Sequence, residues 1–242
     1  MNVLRVSSAG MLVDERLFIG KRIAIVGPAQ TVFDDLEDVD VDRYDLIVRL
    51  NNGVALARTA QGRLGRRTDV LFHNLKEEGE RSAGRLNLSS LGVHRPRLLI
   101  CPHWAYPRTV RRVLAKRRAL RTEPDIEVRI LPREFGRKLG ATLGVRQPTV
   151  GAFAIAYLLS CEPKELGIFG FTFFQTTYAP GYNDEVGSSA DAQAWATRTG
   201  IHDPEAERRY VAESLNEAGE RGMSITLGQG VESRLYSATE RA

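Results

Sequence analysis

Short apolar runs alternating with helix-compatible stretches restrict the fold of this chain more than any other feature. Such alternation predicts a mostly parallel sheet covered by helices on both faces, an α/β, Rossmann-like arrangement. Sheets of this kind bind ligands at the carboxyl ends of their strands. The runs that we interpret as buried strands span residues 21–27, 44–50, 68–72, 96–101, 127–131 and 166–171.

Three other segments complete the predicted framework. Residues 150–160 are apolar nearly all round, which predicts a buried helix, and residues 29–36 can form a helix after the first strand. Residues 203–218 predict a helix with Asp203 as N-cap and Pro204 at its first position. Residues 172–200 lack periodicity, and this stretch is long for an idle loop, so it is a candidate lid.

The size of the chain favours one domain. Its 242 residues, 43% of them hydrophobic, show no internal repeat and no dividing linker. We therefore expect a single domain over residues 1–242 with a core at about 20–220. Cys101 and Cys161 allow at most one disulfide, which favours a reducing cytoplasm. No run reaches the ~18–20 apolar residues of a membrane span, so no integral membrane association is expected.

The charge balance points to no particular partner, because 34 basic and 30 acidic residues leave a net charge of only +4. Residues 108–121 are different, since they carry seven basic side chains and no acid on a predicted helix with one buried stripe. This helix could present a basic face to phosphates or anionic lipid, or it could be an ordinary solvated face. We favour the second reading and expect no nucleic-acid partner, because no nucleic-acid motif accompanies the charges.

Three segments have the residue types of a ligand site. Gly27 and Asn51 each follow a predicted strand, where a glycine lets main chain approach a ligand and an asparagine offers donor and acceptor. Neither G-x-G-x-x-G nor a Walker lysine is present, so a dinucleotide or NTP site is not supported. Thr149 is a natural N-cap of the buried helix, whose first N–H groups stabilise an anion. An ordinary strand–helix turn and a simple cap are the alternatives.

His202 is the best candidate for a general base. It lies just before the N-terminus of a predicted helix, where the positive end of the dipole disfavours imidazolium. His73 and His94 have no such partner group, and His103 lies in a turn beside a proline. A structural or surface role is the alternative for His202.

In order and spacing, these segments resemble the sialylmotifs of glycosyltransferase family 29, the animal-type sialyltransferases. Residues 21–52 resemble the large motif, and residues 65–68 (GRRT) continue it. Residues 148–171 resemble the small motif, including Gly151 and Cys161, while His202 and Glu207 match the very small motif. The resemblance covers roughly residues 20–220.

The resemblance implies a GT-A-variant fold and an inverting, metal-independent transfer of a sugar from its CMP conjugate to an acceptor hydroxyl. His202 would be the catalytic base, with Glu207 as the second catalytic residue of its motif. No cofactor is implied, and the acceptor would be a small molecule or a glycan. The residues implied to bind the nucleotide are Gly27, Pro28, Ala29, Asn51, Thr149, Val150, Gly151, Gly170, Phe171, Thr172 and Tyr182.

The chain also departs from the family. Residues 28–30 are Pro-Ala-Gln where the family has Asn-Ser-Gly, and Tyr182 follows a glycine where the family has a His-Tyr pair. Val150 replaces a hydroxyl residue, and Ile23 replaces the cysteine that would pair with Cys161. These differences leave the transferred sugar open among sialic acid, Kdo and another acidic sugar.

Two other functions remain open, whereas a metal site is not expected. His202 could activate water, which would make the protein a hydrolase of a CMP-linked or nucleotide substrate. The chain could also be a non-catalytic nucleotide-binding module. The D-x-D sequence at Asp38 and Asp40 precedes a predicted strand instead of ending one, so we expect no metal site there.

Overall fold

The computed structural model describes residues 10–79, 82–86, 91–105, 107–121, 123, 125–183, 186–198 and 200–236. The strands are β1 (Arg22–Val26), β2 (Leu46–Leu50), β3 (Val70–Phe72), β4 (Leu98–Cys101), β5 (Glu127–Ile130), β6 (Glu165–Phe169) and β7 (Ser224–Leu227). The helices are α1 (Val32–Asp35), α2 (Gly53–Thr59), α3 (Pro107–Ala119), α4 (Arg133–Leu143), α5 (Val150–Ser160), α6 (Ser189–Thr197), α7 (Pro204–Glu220) and α8 (Gln229–Leu235).

All seven strands form one sheet in the order β5-β4-β3-β2-β1-β6-β7, and every neighbouring pair is parallel. The chain builds the sheet outward from β1 to β5 and then returns to place β6 on the other side of β1. The order therefore reverses between β1 and β6, which is where such sheets bind ligands. The predicted α/β, Rossmann-like class is confirmed.

Some of the observed strands and helices match the sequence-based predictions, and others were not predicted. The six apolar runs are β1 to β6, α5 has its predicted bounds, and α7 is two residues longer at its C-terminus than predicted. The helix predicted at 29–36 is only the single turn α1, because the main chain of residues 29–30 bonds to the segment after β6. The sequence analysis did not predict α2, α4, α6, β7 or α8. The last two extend the folded part beyond residue 220, where we expected the core to end.

Helix α5 is apolar all round because it is covered on all sides. It packs against both α4 and α7, and its side chains belong to the main core beside β1, β2 and β6. Tyr157 is 1% exposed, and its ring meets those of Phe135 and Phe18 edge-on at 5.3 and 6.2 Å. A buried Ile155 or Leu158 stabilises the fold by about 1.5–3 kcal/mol relative to an exposed side chain.

Arg49 joins the two parts of the large-motif resemblance. Its guanidinium lies under the surface at 1% exposure and donates to Thr68 Oγ1 at 3.0 Å and to the Leu64 carbonyl oxygen. Burial lowers its pKa to about 10, while the carboxylates of Asp42 and Asp69 oppose that change. The GRRT segment is thus held to β2 by a buried cation whose donors are used by protein oxygens.

The ends of β1 and β6 approach each other through two glycines. A Cβ added to Gly27 would lie 2.4 Å from the Gly170 carbonyl oxygen, and one added to Gly170 would lie 2.6 Å from the Gly27 carbonyl oxygen. Gly170 also has a φ of +69°, which favours glycine. Buried Asp35 fixes this contact by accepting from the N–H groups of Gly170 and Gly230, both at 2.7 Å. The switch point is therefore packed main chain against main chain.

Within the residues that the structure describes, no helix is both long enough and apolar enough to cross a membrane.

We predict that Gly27→Ala lowers the free energy of unfolding by ~1–3 kcal/mol or more, because its Cβ would collide with the Gly170 carbonyl oxygen, which accepts the Ala29 N–H. Gly219→Ala in α7 is the matched control, since its Cβ would meet nothing within 4 Å. It should leave stability unchanged or raise it by up to ~1 kcal/mol. Urea unfolding measures both variants, and equal effects would contradict the assigned contact.

Candidate functional site

The carboxyl ends of β1, β2 and β6 bring three residues of the predicted nucleotide site to one edge of the sheet. Gly27 follows β1, Asn51 follows β2 and Gly170 follows β6, and these strands are neighbours. The N-terminus of α5 joins them, because a Cβ on Gly151 would lie 3.1 Å from the ring of Phe171. A Cβ on Gly27 would lie 2.7 Å from the same ring. Phe171 therefore lies between the turn after β1 and the N-terminus of α5.

The turn after β1 uses its own N–H groups within the protein. Gly27 donates to the Phe169 carbonyl oxygen at 2.7 Å, and Ala29 donates to that of Gly170 at 2.9 Å. Pro28 has no N–H, and its carbonyl oxygen accepts from Ala179 at 2.8 Å. Gly27, Pro28 and Ala29 thus line the edge but offer no amide to a phosphate. Their contact with a nucleotide stays a prediction.

Asn51 and Tyr182 are brought together across the edge. Asn51 has a φ of +46°, a left-handed conformation that asparagine tolerates better than most residues, and its side chain lies close enough to the Tyr182 hydroxyl to affect the pKa of that group. Burial raises the pKa of Tyr182 to about 12. The neighbouring Asn52 donates from Nδ2 to the Tyr182 carbonyl oxygen at 3.2 Å. The two predicted nucleotide-binding residues Asn51 and Tyr182 therefore lie next to each other at this edge.

The N-terminus of α5 is capped as predicted. Thr149 Oγ1 accepts from the Ala152 N–H at 3.1 Å. The N–H groups of Val150 and Gly151 have no hydrogen-bond acceptor within the described part of the chain. Together with the helix dipole, these two amides form a place for an anion at the carboxyl edge of the sheet.

Residues 147–149, which directly precede α5, are called the 147–149 segment. Three side chains hydrogen-bond to this segment. His202 Nδ1 bonds the Gln147 carbonyl oxygen at 2.5 Å, and His103 Nε2 bonds that of Pro148 at 2.8 Å. Glu207 accepts from Thr149 twice, at 2.8 Å from the N–H and at 2.6 Å from the hydroxyl. Each residue of the segment is thus fixed by a different side chain.

The contact of His202 determines its tautomer. A carbonyl oxygen can only accept, so Nδ1 carries the proton and Nε2 of the neutral ring has the lone pair. His202 is partly exposed and directly precedes α7, whose N-cap Asp203 accepts from Glu205 and Ala206 as predicted. The positive end of α7 disfavours imidazolium. This tautomer leaves Nε2 as the ring nitrogen that can accept a proton, and the role of His202 as a general base stays a prediction.

Glu207 bonds Thr149, the N-cap residue of α5. Its side chain is buried at 2% exposure, and burial raises its pKa to about 7 although the two hydrogen bonds from Thr149 oppose the rise. The sequence prediction placed Glu207 beside His202 in the reaction. Its observed contacts are those of a positioning residue, because both carboxylate oxygens are occupied by the cap of α5.

His103 is a residue that sequence reasoning set aside. It is buried, its ring meets Phe153 edge-on at 5.2 Å, and burial lowers its pKa to about 4, so the ring is neutral. One signal was available, because His103 follows the end of β4 and so lies at the same edge as Gly27 and Asn51. Asp35, which holds Gly170, was also missed, and its sequence context of surface acids gave no signal.

The segment after β6 carries aromatic side chains toward the site. Phe173 and Phe174 both have left-handed φ values, +50° and +62°, directly beyond Gly170. Tyr178 pairs with Ala29 across an antiparallel bridge, and its ring lies 4.9 Å from that of Tyr182. Two successive left-handed phenylalanines store strain, and strained main chain is common at functional sites.

The candidate lid at 172–200 is partly helical. Thr172 is buried, with its hydroxyl 2.8 Å from that of Thr176, and α6 occupies the later part of the stretch. Trp195 of α6 stacks on Phe174 with ring centroids 6.2 Å apart. The structure thus joins both ends of the stretch, and movement of this stretch stays a prediction.

No metal centre is found in the described residues. No group of three or more His, Cys, Asp or Glu side chains there is arranged to hold an ion. Asp38 and Asp40 lie before β2, at the opposite edge of the sheet, and the Asp40 carboxylate caps the following turn and pairs with Arg43 at 3.5 Å. These acids are therefore remote from the candidate site.

No family model and no curated protein sequence matches this chain. Solved structures do match. Sialyltransferase CstII from Campylobacter jejuni with the substrate analogue CMP-3FNeuAc is 15% identical, over 86% of this chain and 80% of its own, with a TM-score of 0.52. Sialyltransferase Cst-I from Campylobacter jejuni is 13% identical over 95% and 82%, with a TM-score of 0.53. A mammalian sialyltransferase is 19% identical over 90% and 72%, with a TM-score of 0.54. The chain therefore has the fold of sialyltransferases.

We predict that Glu207→Gln changes how stability depends on pH. The folded pKa of about 7 lies above the unfolded value near 4.5, so the folded state binds more protons between these values and stability falls as pH rises through them. Relative to Glu207→Gln, wild type should lose up to ~3 kcal/mol of unfolding free energy between pH 4.5 and 7. Urea unfolding at several pH values measures this difference, and a constant difference would contradict the buried-carboxyl assignment.

Proposed function

We propose that this protein is a glycosyltransferase that moves a sugar from a CMP-sugar donor to an acceptor hydroxyl, with His202 as general base. One observation carries the proposal. His202 bonds Gln147, and three residues later the amides of Val150 and Gly151 have no acceptor within the described residues, so the candidate base and the candidate anion site meet at the start of α5. A donor phosphate on those amides would lie beside the base.

The donor nucleotide would bind at the carboxyl edge between β1, β2 and β6. The amides of Val150 and Gly151 and the dipole of α5 would hold its phosphate, and Asn51 with Tyr182 would supply polar side-chain contacts. Gly170, Phe171 and Thr172 would border the cytosine base, as the resemblance to family 29 implies. The sialyltransferase fold and the CMP-3FNeuAc complex of CstII support a CMP-linked donor.

The reaction would be a single displacement. His202 Nε2 would take the proton of the acceptor hydroxyl while the oxygen attacks the anomeric carbon and the bond to the phosphate breaks. Attack opposite the leaving group inverts the anomeric configuration. Charge that develops on the leaving CMP phosphate would be stabilised by the preorganised amides of α5, and this supports our proposal that the transfer needs no metal.

Membership of glycosyltransferase family 29 and a reducing, cytoplasmic setting belong to the same proposal. Cys101 and Cys161 are both buried free thiols, which suits a reducing compartment. Sialic acid, Kdo and other acidic sugars remain the candidates for the transferred group. The acceptor is a small molecule or a glycan.

Hydrolysis is the second candidate, because a water molecule beside Nε2 of His202 could replace the acceptor. Analysis of the products separates the two reactions. CMP release that requires an acceptor hydroxyl supports transfer, whereas equal release without any acceptor supports hydrolysis. A non-catalytic nucleotide-binding module would release no CMP under either condition.

Nucleotide binding tests the donor assignment. We expect CMP and CDP to raise the melting temperature of the protein more than uridine, guanosine or adenosine nucleotides do, because ligand binding to the folded state stabilises it.

Asn51→Gly removes the amide without straining the left-handed φ, and it should weaken CMP binding roughly 10- to 100-fold. Asn51→Asp keeps the shape and adds a charge that repels phosphate, so it should bind CMP more weakly still. Stabilisation by another nucleotide alone would refute the donor.

His202→Asn tests the base. The asparagine amide can still donate to the Gln147 carbonyl oxygen, but it has no ring nitrogen to accept a proton. We expect kcat to fall by ~10²–10⁴ while CMP binding and folding stay close to wild type. The rise of wild-type activity with pH should be absent in the variant. A variant with wild-type kcat would show that another group is the base.

A further inference from the structure

The outer side of α3 is a concentrated positive surface that the proposed reaction does not use. Arg108, Arg111 and Arg118 are exposed, and their spacing of three and seven residues places them along one side of the helix; Arg121 is exposed in the turn that follows its end. Thr109 and Val113 lie buried on the opposite side. We call the exposed side, with Leu114 and Ala115, the cationic face.

The positive charge of the chain is concentrated here. Residues 108–121 carry seven basic side chains and no acid, which exceeds the net charge of +4, so the rest of the chain is net negative. Lys116 pairs with Glu77, and Arg117 donates to carbonyl oxygens of Gly10 and Val128. Within the described residues, none of the four arginines of the cationic face forms an ion pair. Such a polarised charge distribution orients a protein on an anionic surface.

An apolar side chain lies on the same face. Leu114 is 40% exposed although it is surrounded in sequence by basic residues, and Ala115 beside it is exposed as well. An apolar side chain among cations gains free energy at the headgroup and acyl boundary of a bilayer, whereas it gains nothing on a phosphate backbone. The face as defined also has no aromatic side chain on which unpaired bases could stack.

We propose that the cationic face of α3 docks this protein on the surface of a bilayer that contains anionic phospholipid. The arginines contact lipid phosphates and carboxylates, and Leu114 enters the boundary below them. Helix α3 has 13 residues and is about 20 Å long, so it lies along the surface and does not cross the bilayer. This docking is independent of the proposed reaction and is tested without substrate.

Sedimentation of the full chain with vesicles tests the proposal. We expect binding to phosphatidylcholine vesicles that contain phosphatidylserine, little binding to phosphatidylcholine alone, and weaker binding as salt rises. Removing both central charges with Arg111→Gln and Arg118→Gln should weaken binding about 25-fold or more, at roughly five-fold for each charge. Leu114→Gln should remove the part of the binding that resists salt.

The matched control replaces two exposed arginines near the other edge of the sheet, Arg221→Gln and Arg234→Gln, beside β7. It has the same change in net charge, and it should bind vesicles like wild type. Circular dichroism melts establish that all variants are folded. Absence of wild-type binding to anionic vesicles, an equal loss in the control, or tighter binding to duplex DNA than to vesicles at the same salt would each overturn the proposal.

Discussion

The hydrogen bonds that fix residues 147–149 are the interactions on which the candidate site depends. His202 and Glu207 come from the start of α7 and His103 from the loop after β4, and each holds one of three successive residues. Because two of the three side chains are buried, an unpaired partner there would cost more free energy than an exposed one. The segment is therefore rigid where it leads into α5, and the anion site and His202 are fixed relative to each other.

The contact between Gly27 and Gly170 supports the same edge from the other side. Main chain meets main chain where the strand order reverses, and Asp35 bonds both Gly170 and the start of α8. This close packing uses the amides after β1, which the resemblance to family 29 assigns to nucleotide contacts. The amides at the N-terminus of α5 are then the main-chain donors that a phosphate can use. The turn after β1 is therefore used for packing within the protein, and the neighbouring N-terminus of α5 is suited to binding.

Prediction from the sequence succeeded where local pattern and tertiary environment agree. Helix α5 was found with correct bounds because full burial requires an apolar residue at nearly every position. The α7 cap was found because Asp203 and Pro204 are a local signal. Helix α4 was missed because Gly136 and Gly140 lower its helix propensity, and Gly136 is there to fit against Phe153. The edge strand β7 has only four residues, none of them buried, so it carries no pattern.

The sequence by itself determined the α/β class and the positions of six strands along the chain, because strand periodicity and helix caps are local properties. It also made His202 the candidate base, from its position before a helix and the resemblance to family 29, and that role stays a prediction. Only the tertiary structure decided which proton His202 carries, that Glu207 and His103 hold the segment beside it, and that Asn51 meets Tyr182. These depend on contacts between residues tens of positions apart, where the partner of each polar group is set by packing and not by its neighbours in the chain.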